Sequence, residues 1–419
     1  MKIAIVGTGI SGLAAAYRLY RHHDITVYEA ADRIGGHTAT IDVQLEGREY
    51  RIDTGFIVYN DWTYPQFIRL MDELGVGSRP SDMSFGVRDE DTGLEYAGVE
   101  GRKALFDALF AQRRRLFSPR HLGMLIDILR FNRLAVADVV QDRLPADLTL
   151  TEYVARKRLG RAFRDFYLAP MASAIWSTPL KDIVDFPVRF MLPFMYHHGL
   201  LSVSHRPTWR TLSGGSDAYI APITAGFRDR IHLNTPVRQI RRFADHAIVR
   251  TDAGERYYDQ VVLACHSDQA LAILQDPCAA EQEILSAIRY RNNDVVLHTD
   301  IAVMPRSQRA WASWNYSLTA DRAGPPRVTY DMNRLMGLDG PHRFLVSLND
   351  TARIDPAQIL GRFQYAHPVF TVEGARAQQR WSEINGRRCT WYCGAWWGKG
   401  FHEDGVASAR HVTDALNLT

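Results

Sequence analysis

The first thirty residues constrain the fold more than any other part of this sequence. Lys2 to Val6 is an apolar, β-branched run typical of a buried parallel strand. Three glycines follow in the spacing GTGISG, then a stretch of good helix formers, then a second β-branched run that ends at Glu29. This order of strand, glycine turn, helix, strand and acid is that of a dinucleotide-binding βαβ unit.

Each glycine of the turn has a physical role in such a unit. Gly7 permits the tight turn, Gly9 lets a pyrophosphate approach the backbone, and Gly12 allows the helix to pack closely on the strand. The helix N-terminus faces the phosphate charge, and Glu29 is expected to accept hydrogen bonds from ribose hydroxyls. The predicted nucleotide-binding residues of the unit are Gly7, Gly9, Ile10, Ser11, Gly12, Glu29 and Ala30.

Two patterns follow the acid. Residues 33–37 read RxGGH, and residues 53–56 read DTGF. Both resemble signatures of the flavoprotein oxidoreductase superfamily that includes amine oxidases, protoporphyrinogen oxidase and carotenoid desaturases. The resemblance implies that the cofactor is FAD rather than NAD, with the first pattern at its phosphate and ribityl groups and the second close to the isoalloxazine. The implied residues are Arg33, Gly35, Gly36, His37, Thr38, Gly55 and Phe56.

Two later segments extend this resemblance. Residues 393–409 read CGAWWGKGFHEDGVASA, and in the family such a segment brings the N-terminus of the last helix to the flavin. Here that helix is expected to start at Gly405 and Val406, with Gly394 near the flavin phosphate and ribityl chain. A mid-chain segment is expected to contact adenine. The implied residues are Val237, Trp397, Glu403, Gly405 and Val406. Neither Cys389 nor Cys393 has the family's covalent attachment context, so FAD is expected to be bound non-covalently.

The resemblance implies an α/β fold of the amine oxidase and glutathione-reductase type. A Rossmann-like FAD-binding domain is expected from residues 1–57, 206–284 and 386–419. An interleaved α+β substrate domain is expected from residues 58–205 and 285–385. The match therefore spans the whole chain, with cofactor segments at both ends and in the middle.

Several segments outside the nucleotide motifs resemble one bacterial subgroup, the FAD-dependent proteins associated with cyclopropane-fatty-acid synthases. The segments are 172–179, 194–203, 206–220 and 311–318. This resemblance implies dehydrogenation of a phospholipid-bound, unsaturated acyl chain in furan or methylated fatty acid synthesis, with a lipid methyltransferase as partner. Hydride transfer to flavin N5 requires a base for the neighbouring proton. We predict His197, His198 and His205 for that role, with Tyr196 and Tyr316 as alternatives.

A basic, apolar stretch gives independent support for a lipid substrate. Residues 102–134 hold eight arginines and lysines against only Asp107 and Asp127, in a chain whose net charge is +3. Apolar residues alternate with these cations, as in helices that lie on anionic membranes. We predict a membrane-surface helix near residues 113–140. The alternatives are a core helix with a solvated basic rim and a dimer face.

Composition excludes several classes of protein. The balance of 50 basic and 47 acidic residues does not suit a nucleic-acid binder. The 4 cysteines are too few for a disulfide scaffold, and no metal site is expected. No uncharged run reaches the length of a membrane-spanning helix. Because the nucleotide strand starts at residue 2, no signal peptide is expected, and the protein is expected in the cytoplasm on the inner membrane face.

Two other functions stay open. The first is an oxidase of a small amine or a tetrapyrrole. Many amine oxidases use a mid-chain lysine near flavin N5, and this sequence has no lysine between Lys181 and Lys399. Arginine does not replace it easily, because arginine keeps its proton. The second is a non-catalytic flavoprotein that presents acyl chains to a methyltransferase.

Overall fold

The computed structural model describes residues 1–145 and 147–417. The strands within these ranges are β1 (Lys2–Val6), β2 (Asp24–Tyr28), β3 (Thr40–Leu45), β4 (Arg48–Asp53), β5 (Tyr59–Asn60), β6 (Ser78–Pro80), β7 (Phe85–Asp89), β8 (Leu94–Gly98), β9 (Trp209–Leu212), β10 (Ile231–His232), β11 (Gln239–Arg242), β12 (Ala247–Thr251), β13 (Gly254–Tyr258), β14 (Gln260–Leu263), β15 (Arg289–His298), β16 (Trp314–Leu318), β17 (Arg327–Asp331), β18 (Leu345–Leu348), β19 (Ile359–Val369) and β20 (Thr390–Tyr392).

The α-helices within the same ranges are α1 (Ile10–Leu19), α2 (Pro65–Glu73), α3 (Arg102–Leu109), α4 (Pro119–Val140), α5 (Leu150–Arg156), α6 (Arg161–Phe163), α7 (Ala169–Trp176), α8 (Leu180–Ile183), α9 (Val188–His197), α10 (Ile220–Thr224), α11 (Ser267–Ile273), α12 (Ala279–Ala287), α13 (Met332–Met336), α14 (Val372–Gln378), α15 (Trp381–Ile384) and α16 (His402–Leu416). A π-helical turn at Arg164–Leu168 joins α6 to α7. None of these helices is long and apolar enough to cross a membrane.

A parallel sheet with strand order β10-β2-β1-β14-β20 is formed from four distant parts of the chain. Its central strand, β1, is buried on both faces, with Ile3 and Ile5 in one hydrophobic cluster and Ala4 and Val6 in another. Burial on both faces explains why the strand reads as a continuous apolar run. Helices α1 and α16 pack together on one side of the sheet and share one of these clusters.

A second, mixed sheet has the order β19-β15-β18-β17-β16-β7-β8 and is antiparallel except where β7 runs parallel to β16. Together with helices α4 to α9 it encloses the largest hydrophobic cluster. The predicted α/β class is thereby confirmed: a parallel nucleotide-type sheet beside a separate, mainly antiparallel one. The residue boundaries assigned to the two domains stay a prediction.

The last helix begins earlier than expected. The sequence placed its start at Gly405 and Val406, but α16 starts at His402, so that boundary was wrong. The Asp404 carboxylate accepts a hydrogen bond from the N–H of Phe401 at 2.9 Å and so closes the first turn. Two acids in this turn also suit the positive end of the helix dipole.

Candidate active site

The glycine turn between β1 and α1 leaves open space in front of the helix. Gly7 has a φ of 106°, and its N–H donates to the last carbonyl of β2 at 2.8 Å. A Cβ on Gly12 would lie 2.0 Å from the Gly7 carbonyl oxygen, whereas a Cβ on Gly9 would meet no atom within 4 Å. No side chain caps α1, whose first residues are Ile10 and Ser11. The turn therefore offers uncapped N–H groups beside open space, which is what a pyrophosphate requires.

Glu29 lies just past the end of β2 and keeps one acceptor position. Its Oε2 accepts from the N–H of Thr8 at 2.9 Å and also from the Thr8 hydroxyl. Its Oε1 accepts from the N–H of Ala31 at 2.9 Å, and the neighbouring Ala30 is exposed. Because a carboxylate oxygen accepts two hydrogen bonds, Oε1 has room for one further donor among the described contacts. A ribose hydroxyl meets that requirement.

The RxGGH loop lies against the glycine turn. Gly35 and Gly36 both have positive φ, 126° and 58°, and a Cβ on Gly36 would lie 3.1 Å from the Cα of Gly9. The Arg33 guanidinium donates to the carbonyl of Thr38 at 2.9 Å and to that of Gly36 at 2.7 Å. In this structure Arg33 therefore holds the loop that carries the glycine pair. Its predicted contact with the FAD phosphate stays a prediction.

The N-terminus of α16 lies against the N-terminus of α1. A Cβ on Gly405 would be 2.7 Å from Cγ2 of Ile10 and 2.9 Å from the hydroxyl of Ser11. The loop before α16 is tied down because the Ser408 hydroxyl accepts from the N–H of Gly394 at 2.9 Å. Two helix N-termini thus converge, and each concentrates partial positive charge. The arrangement suits the charge of a diphosphate.

His402 is an important residue of this region that the sequence analysis missed. Its ring stacks on Phe56, with centroids 3.6 Å apart, and its Nε2 lies 3.0 Å from the hydroxyl of Thr38. One turn further on, Val406 is buried in the shared hydrophobic cluster of α1 and α16. The signal in the sequence was a histidine immediately before the acid pair. It was overlooked because the helix was expected to start three residues later.

A cluster of rings from separate segments lines the interior beside the RxGGH loop. The His37 ring lies 5.7 Å from that of His266, 5.3 Å from that of Tyr365 and 5.6 Å from that of His367. Gly55 is packed behind His37, because a Cβ there would lie 2.0 Å from the His37 carbonyl oxygen. Burial lowers the pKa of His37 and His266 to about 4 and that of His367 to about 3. These histidines are therefore neutral at pH 7.

The ring cluster is not sealed in the core, because each of its three histidines keeps a solvent-accessible part. Among the described residues, His37 Nε2 is buried without a hydrogen-bond partner. Gly36, which precedes His37, lies against the open space at Gly9. An elongated cofactor with a diphosphate and a polar aromatic ring fits these features. When bound there, FAD would be held by the turn, Glu29 and the RxGGH loop.

The expected adenine contact lies on the other face of the parallel sheet. Val237 is buried in a cluster with Tyr28 and Tyr258, whose hydroxyls are 2.6 Å apart. Among the described contacts the backbone N–H and C=O of Val237 make no hydrogen bond. Both groups are therefore available to a base edge, and the adenine contact stays a prediction.

Trp397 is held by its neighbours. Its ring lies 4.4 Å from that of Trp396. Its Nε1 donates to the Tyr392 carbonyl at 3.1 Å, and Nε1 of Trp396 donates to the Cys265 carbonyl at 3.0 Å. Both indole N–H groups are thus used within the protein. Only the ring of Trp397 is left for the predicted flavin contact.

The three predicted bases do not converge on one point. His205 is exposed and packs on Trp62 with ring centroids 4.9 Å apart, and His197 is exposed at the end of α9. His198 is buried, with Nδ1 2.9 Å from the Phe194 carbonyl and Nε2 3.2 Å from the Thr63 hydroxyl. Burial lowers its pKa to about 4. Of the three, only His198 lies in the interior.

Glu403 links the start of α16 to the start of α2. Its carboxylate accepts from the backbone N–H groups of Gln66 and Phe67, at 3.0 Å and 2.9 Å. These are the first N–H groups of α2, so Glu403 acts as a cap supplied by α16 to a neighbouring helix. Its predicted place beside the flavin ribityl chain is untested, and the observed role is to join the two helices.

Comparisons with known proteins agree with this geometry. The protein described as "Probable flavin-containing monoamine oxidase A" of Dictyostelium discoideum is 25% identical over 281 residues, which are 62% of this chain and 56% of that protein. The chain thus spans about half the length of the curated relatives it matches.

Two solved structures have similar folds. The CLA-producing fatty acid isomerase of P. acnes superposes with a TM-score of 0.66 at 17% identity, covering 99% of this chain and 98% of that one. Cyclohexylamine oxidase of Brevibacterium oxydans IH-35A superposes with a TM-score of 0.67 at 14% identity, covering 99% of both chains. Identities this low indicate a common fold and leave the substrate open.

The sequence profile of the flavin containing amine oxidoreductases matches residues 10–303. That range includes α1 with its uncapped N-terminus, the RxGGH loop and the Val237 segment. The converging helix N-termini and the partly exposed histidine cluster fit a flavin dinucleotide. The protein therefore belongs to the flavin containing amine oxidoreductase family, and its cofactor is FAD.

Proposed function

We propose that this protein is an FAD-dependent dehydrogenase that introduces a double bond into an unsaturated acyl chain of a phospholipid at an anionic membrane surface. The observation that carries the proposal is the outward face of α4, which is apolar although it faces solvent. The subgroup resemblance adds furan or methylated fatty acid synthesis as the context. It also favours a lipid methyltransferase as partner and the cytoplasmic face of the inner membrane as location.

Helix α4 exposes an apolar stripe. Leu122, Ile126 and Leu129 form this outward stripe and are 37%, 58% and 60% exposed, and Phe117 just before the helix is 86% exposed. The buried face is mixed, with apolar Met124, Phe131 and Ala135 beside polar His121, Asp127, Asn132 and Asp138. A surface helix of a soluble protein normally keeps its large apolar residues on the buried face. The outward stripe therefore favours an apolar partner, and we propose that this partner is a lipid bilayer.

The charges around the stripe decide between a bilayer and an uncharged partner. Arg113 and Arg130 are paired with acids of their own segment. Other cations of the region have no acidic partner among the described residues, namely Arg102, Lys103, Arg114, Arg115, Arg120 and Arg133. The pKa of Arg115 is lowered by burial and by the neighbouring charges of Arg114 and Arg120. Each such cation favours anionic lipid by about 1 kcal/mol.

A series of stacked aromatic rings extends from the substrate region to the start of α16. Phe190 stacks on Phe370 with centroids 5.2 Å apart, and Phe194 stacks on Phe401 with centroids 5.4 Å apart. Phe401 immediately precedes His402, which lies at the candidate flavin site. Apolar walls of this kind suit an acyl chain better than a charged substrate.

A buried cation beside this route disfavours amines. The Lys399 Nζ lies 5.5 Å from the centre of the Phe194 ring, and burial lowers its pKa. An ammonium substrate would be repelled by Lys399, whereas a neutral chain or a carboxylate would not. This adds to the absence of a mid-chain lysine as an argument against the amine oxidase alternative.

The reaction removes a hydride from one chain methylene and a proton from the neighbouring carbon, and it leaves a C=C bond. FAD, when bound, supplies the two-electron acceptor. An existing double bond next to the site makes the proton easier to remove. Among the predicted bases, His198 is favoured because its Nδ1 donates to the Phe194 carbonyl, which leaves the Nε2 lone pair to hold a proton.

The test is an anaerobic mixing experiment with vesicles of monounsaturated phosphatidylglycerol. We expect the flavin absorbance band to bleach and mass spectrometry to detect a diene in the lipid. Bleaching by amines or a reduced tetrapyrrole, with none by lipid, would replace the proposal by the oxidase alternative. A tightly bound lipid that never bleaches the flavin would instead indicate a non-catalytic carrier.

Membrane binding is tested separately by vesicle co-sedimentation. Replacing Leu122, Ile126 and Leu129 together by serine is expected to lower binding to anionic vesicles at least tenfold while leaving the fold intact. The matched control replaces three equally exposed apolar residues elsewhere, Tyr257, Ile301 and Val372, by serine. Equal losses in both triple variants would contradict a specific role for α4.

A further inference from the structure

We propose that His367, on β19, is fixed as a neutral Nε2–H donor in the ring cluster of the active site by a hydrogen-bond relay through Asn293 and Asn349. Asn293 and Asn349 are then positioning residues, and His367 is the residue that meets the ligand. This inference depends on the flavin site and not on the identity of the substrate. It differs from the bases predicted from sequence, because it assigns a donor rather than a proton acceptor.

The relay begins where the orientation of Asn349 is set by the backbone. Its Oδ1 accepts from the N–H of Asp294 at 3.1 Å, and its Nδ2 donates to the carbonyl of Pro326 at 3.1 Å. An N–H group can only donate and a carbonyl can only accept, so the side-chain amide has one satisfactory orientation. The remaining hydrogen of Nδ2 is donated to Oδ1 of Asn293 at 2.9 Å.

This contact fixes Asn293 in turn. With Oδ1 facing Asn349, its Nδ2 donates to the Arg291 carbonyl at 3.2 Å and to Nδ1 of His367 at 3.3 Å. Asn293 is 1% exposed, so water cannot substitute for these partners. Because an amide NH₂ only donates, Nδ1 of His367 must be an acceptor. In the neutral ring the proton is then on Nε2.

Ser177 lies on the same side of the ring. Its hydroxyl is 3.1 Å from Nδ1 of His367, and it follows the last residue of α7 with a φ of 48°. A left-handed serine is strained by about 1 kcal/mol or more, and such strain persists only where the surroundings enforce it. The segment of Ser177 is one of those singled out in the sequence. The left-handed conformation of Ser177 accompanies the contact of its hydroxyl with His367.

The His367 ring belongs to the ring cluster beside the RxGGH loop. It lies 5.6 Å from the ring of His37, whose Nε2 has no hydrogen-bond partner among the described residues, and His37 also lies beside Tyr365 and His266. Burial and the nearby His37 lower the pKa of His367 to about 3, so the ring is uncharged at pH 7. The ligand that suits such a donor is an uncharged hydrogen-bond acceptor, either a carbonyl of the flavin ring or a carbonyl of the substrate.

The experiment is ¹⁵N NMR of histidine-labelled protein, with and without FAD. The His367→Gln variant assigns its signals among the 15 histidines. We expect wild-type His367 to be the Nε2–H tautomer throughout the range from pH 7 to pH 5. In Asn293→Asp, a carboxylate accepts from Nδ1, so the tautomer should switch to Nδ1–H and the pKa should rise by about one unit or more.

Two further variants keep the test decisive. Ser177→Ala is expected to keep the Nε2–H tautomer, because Asn293 sets it. If Asn293→Asp does not fold, Asn293→Ala removes the donor without adding charge and should give a mixture of tautomers. An Nδ1–H tautomer in the wild type, or no change in a folded Asn293 variant, would overturn the proposal.

The source of the acceptor is read from the flavin absorbance spectrum. If the flavin ring is the acceptor, His367→Gln shifts the spectrum before substrate is added. If the substrate carbonyl is the acceptor, the spectrum is unchanged and KM rises about tenfold with little change in kcat. A variant that changes neither quantity would contradict a contact of His367 with either ligand.

Discussion

Gly9 and Gly12 lie three residues apart in one turn, yet a side chain at each would meet very different surroundings. A Cβ at Gly12 would clash with the Gly7 carbonyl at 2.0 Å, whereas a Cβ at Gly9 would enter empty space. The backbone of Gly9 has a φ of −63°, which alanine adopts without strain. Gly12 is therefore required for the fold, whereas Gly9 is required for cofactor binding.

Gly9→Ala is accordingly expected to fold as stably as wild type without FAD and to bind FAD at least tenfold more weakly. Gly12→Ala, the matched variant, is expected to be poorly folded even before the cofactor is added. Thermal melts of flavin-free protein and a fluorescence titration with FAD check both. Normal FAD affinity in Gly9→Ala would contradict the assignment of the phosphate site.

The residues that sequence reasoning identified and missed differ in how far apart their partners are. The GTGISG turn, Glu29 and the RxGGH loop lie within 37 residues, and the turn chemistry of glycine makes them readable. His367 acquires its role from Ser177 and Asn293, which are 190 and 74 positions away. No local pattern records such contacts, because they exist only after β15 has paired with β19 and α7 has packed beside them.

At the level of the helix, adjacent residues of α4 have opposite surroundings. Ile126 is 58% exposed, whereas the Asp127 carboxylate is buried, accepts from the N–H of Gly160 at 2.8 Å and pairs with Arg130. The charge pattern predicted a surface helix. The exposed apolar stripe and the buried Asp127 became visible only with the tertiary structure. The predicted stretch also proved to be divided into a 3₁₀ turn, Arg113–Phe117, and α4.

Asp127→Ala is expected to lower the free energy of unfolding by about 1–3 kcal/mol, because the hydrogen bonds that the buried carboxylate accepts from Gly160 and Arg130 are lost. Ile126→Ser should change it by less than about 0.5 kcal/mol. Urea denaturation of the two variants in parallel measures the difference. If Ile126→Ser proved the more destabilising, α4 would have to pack with its outward face against protein.

Glu403 of α16 caps the N-terminus of α2 and so joins the two helices. Glu403→Ala is expected to free the N-terminus of α2 and to loosen the start of α16, where His402 lies. We expect faster hydrogen exchange at residues 66–68 and weaker FAD binding in that variant. Glu403→Gln retains an acceptor oxygen and should behave closer to wild type. Unchanged exchange at α2 in Glu403→Ala would contradict the interhelical cap.

For the whole molecule, the buried histidines predict an acid-sensitive apoprotein. Burial lowers the pKa of His37, His198, His266 and His298 to about 4, and that of His367 and His402 to about 3. An unfolded histidine has a pKa near 6.5. Between about pH 6.5 and pH 4 the unfolded chain therefore binds protons that the folded chain cannot, so stability falls as the pH falls.

Three buried acids oppose this trend. Burial raises the pKa of Asp53, Asp350 and Asp404 to about 6, so the folded chain gains protons there as the pH falls through 6. Burial also raises the pKa of Asp331 and Glu403 and lowers that of His121 and His197, so eight histidines act against five acids. The net slope keeps the sign set by the histidines, at about 1.4 kcal/mol per pH unit for each net proton. Denaturation of flavin-free protein at pH 7 and pH 5 measures it. His37→Gln with His367→Gln should flatten the slope, and an unaltered slope would contradict the assignment.

Strand β20 completes the parallel sheet, and α16 supplies one of the two converging helix N-termini. Residues 390–416 are therefore expected to be needed both for the sheet and for cofactor retention. During synthesis this segment leaves the ribosome after every other described part of the sheet. We therefore expect FAD capture only after residues 390–416 have been synthesised. Until then the nascent protein exposes the apolar edge of β14 and the uncovered side of α1, surfaces that chaperones recognise.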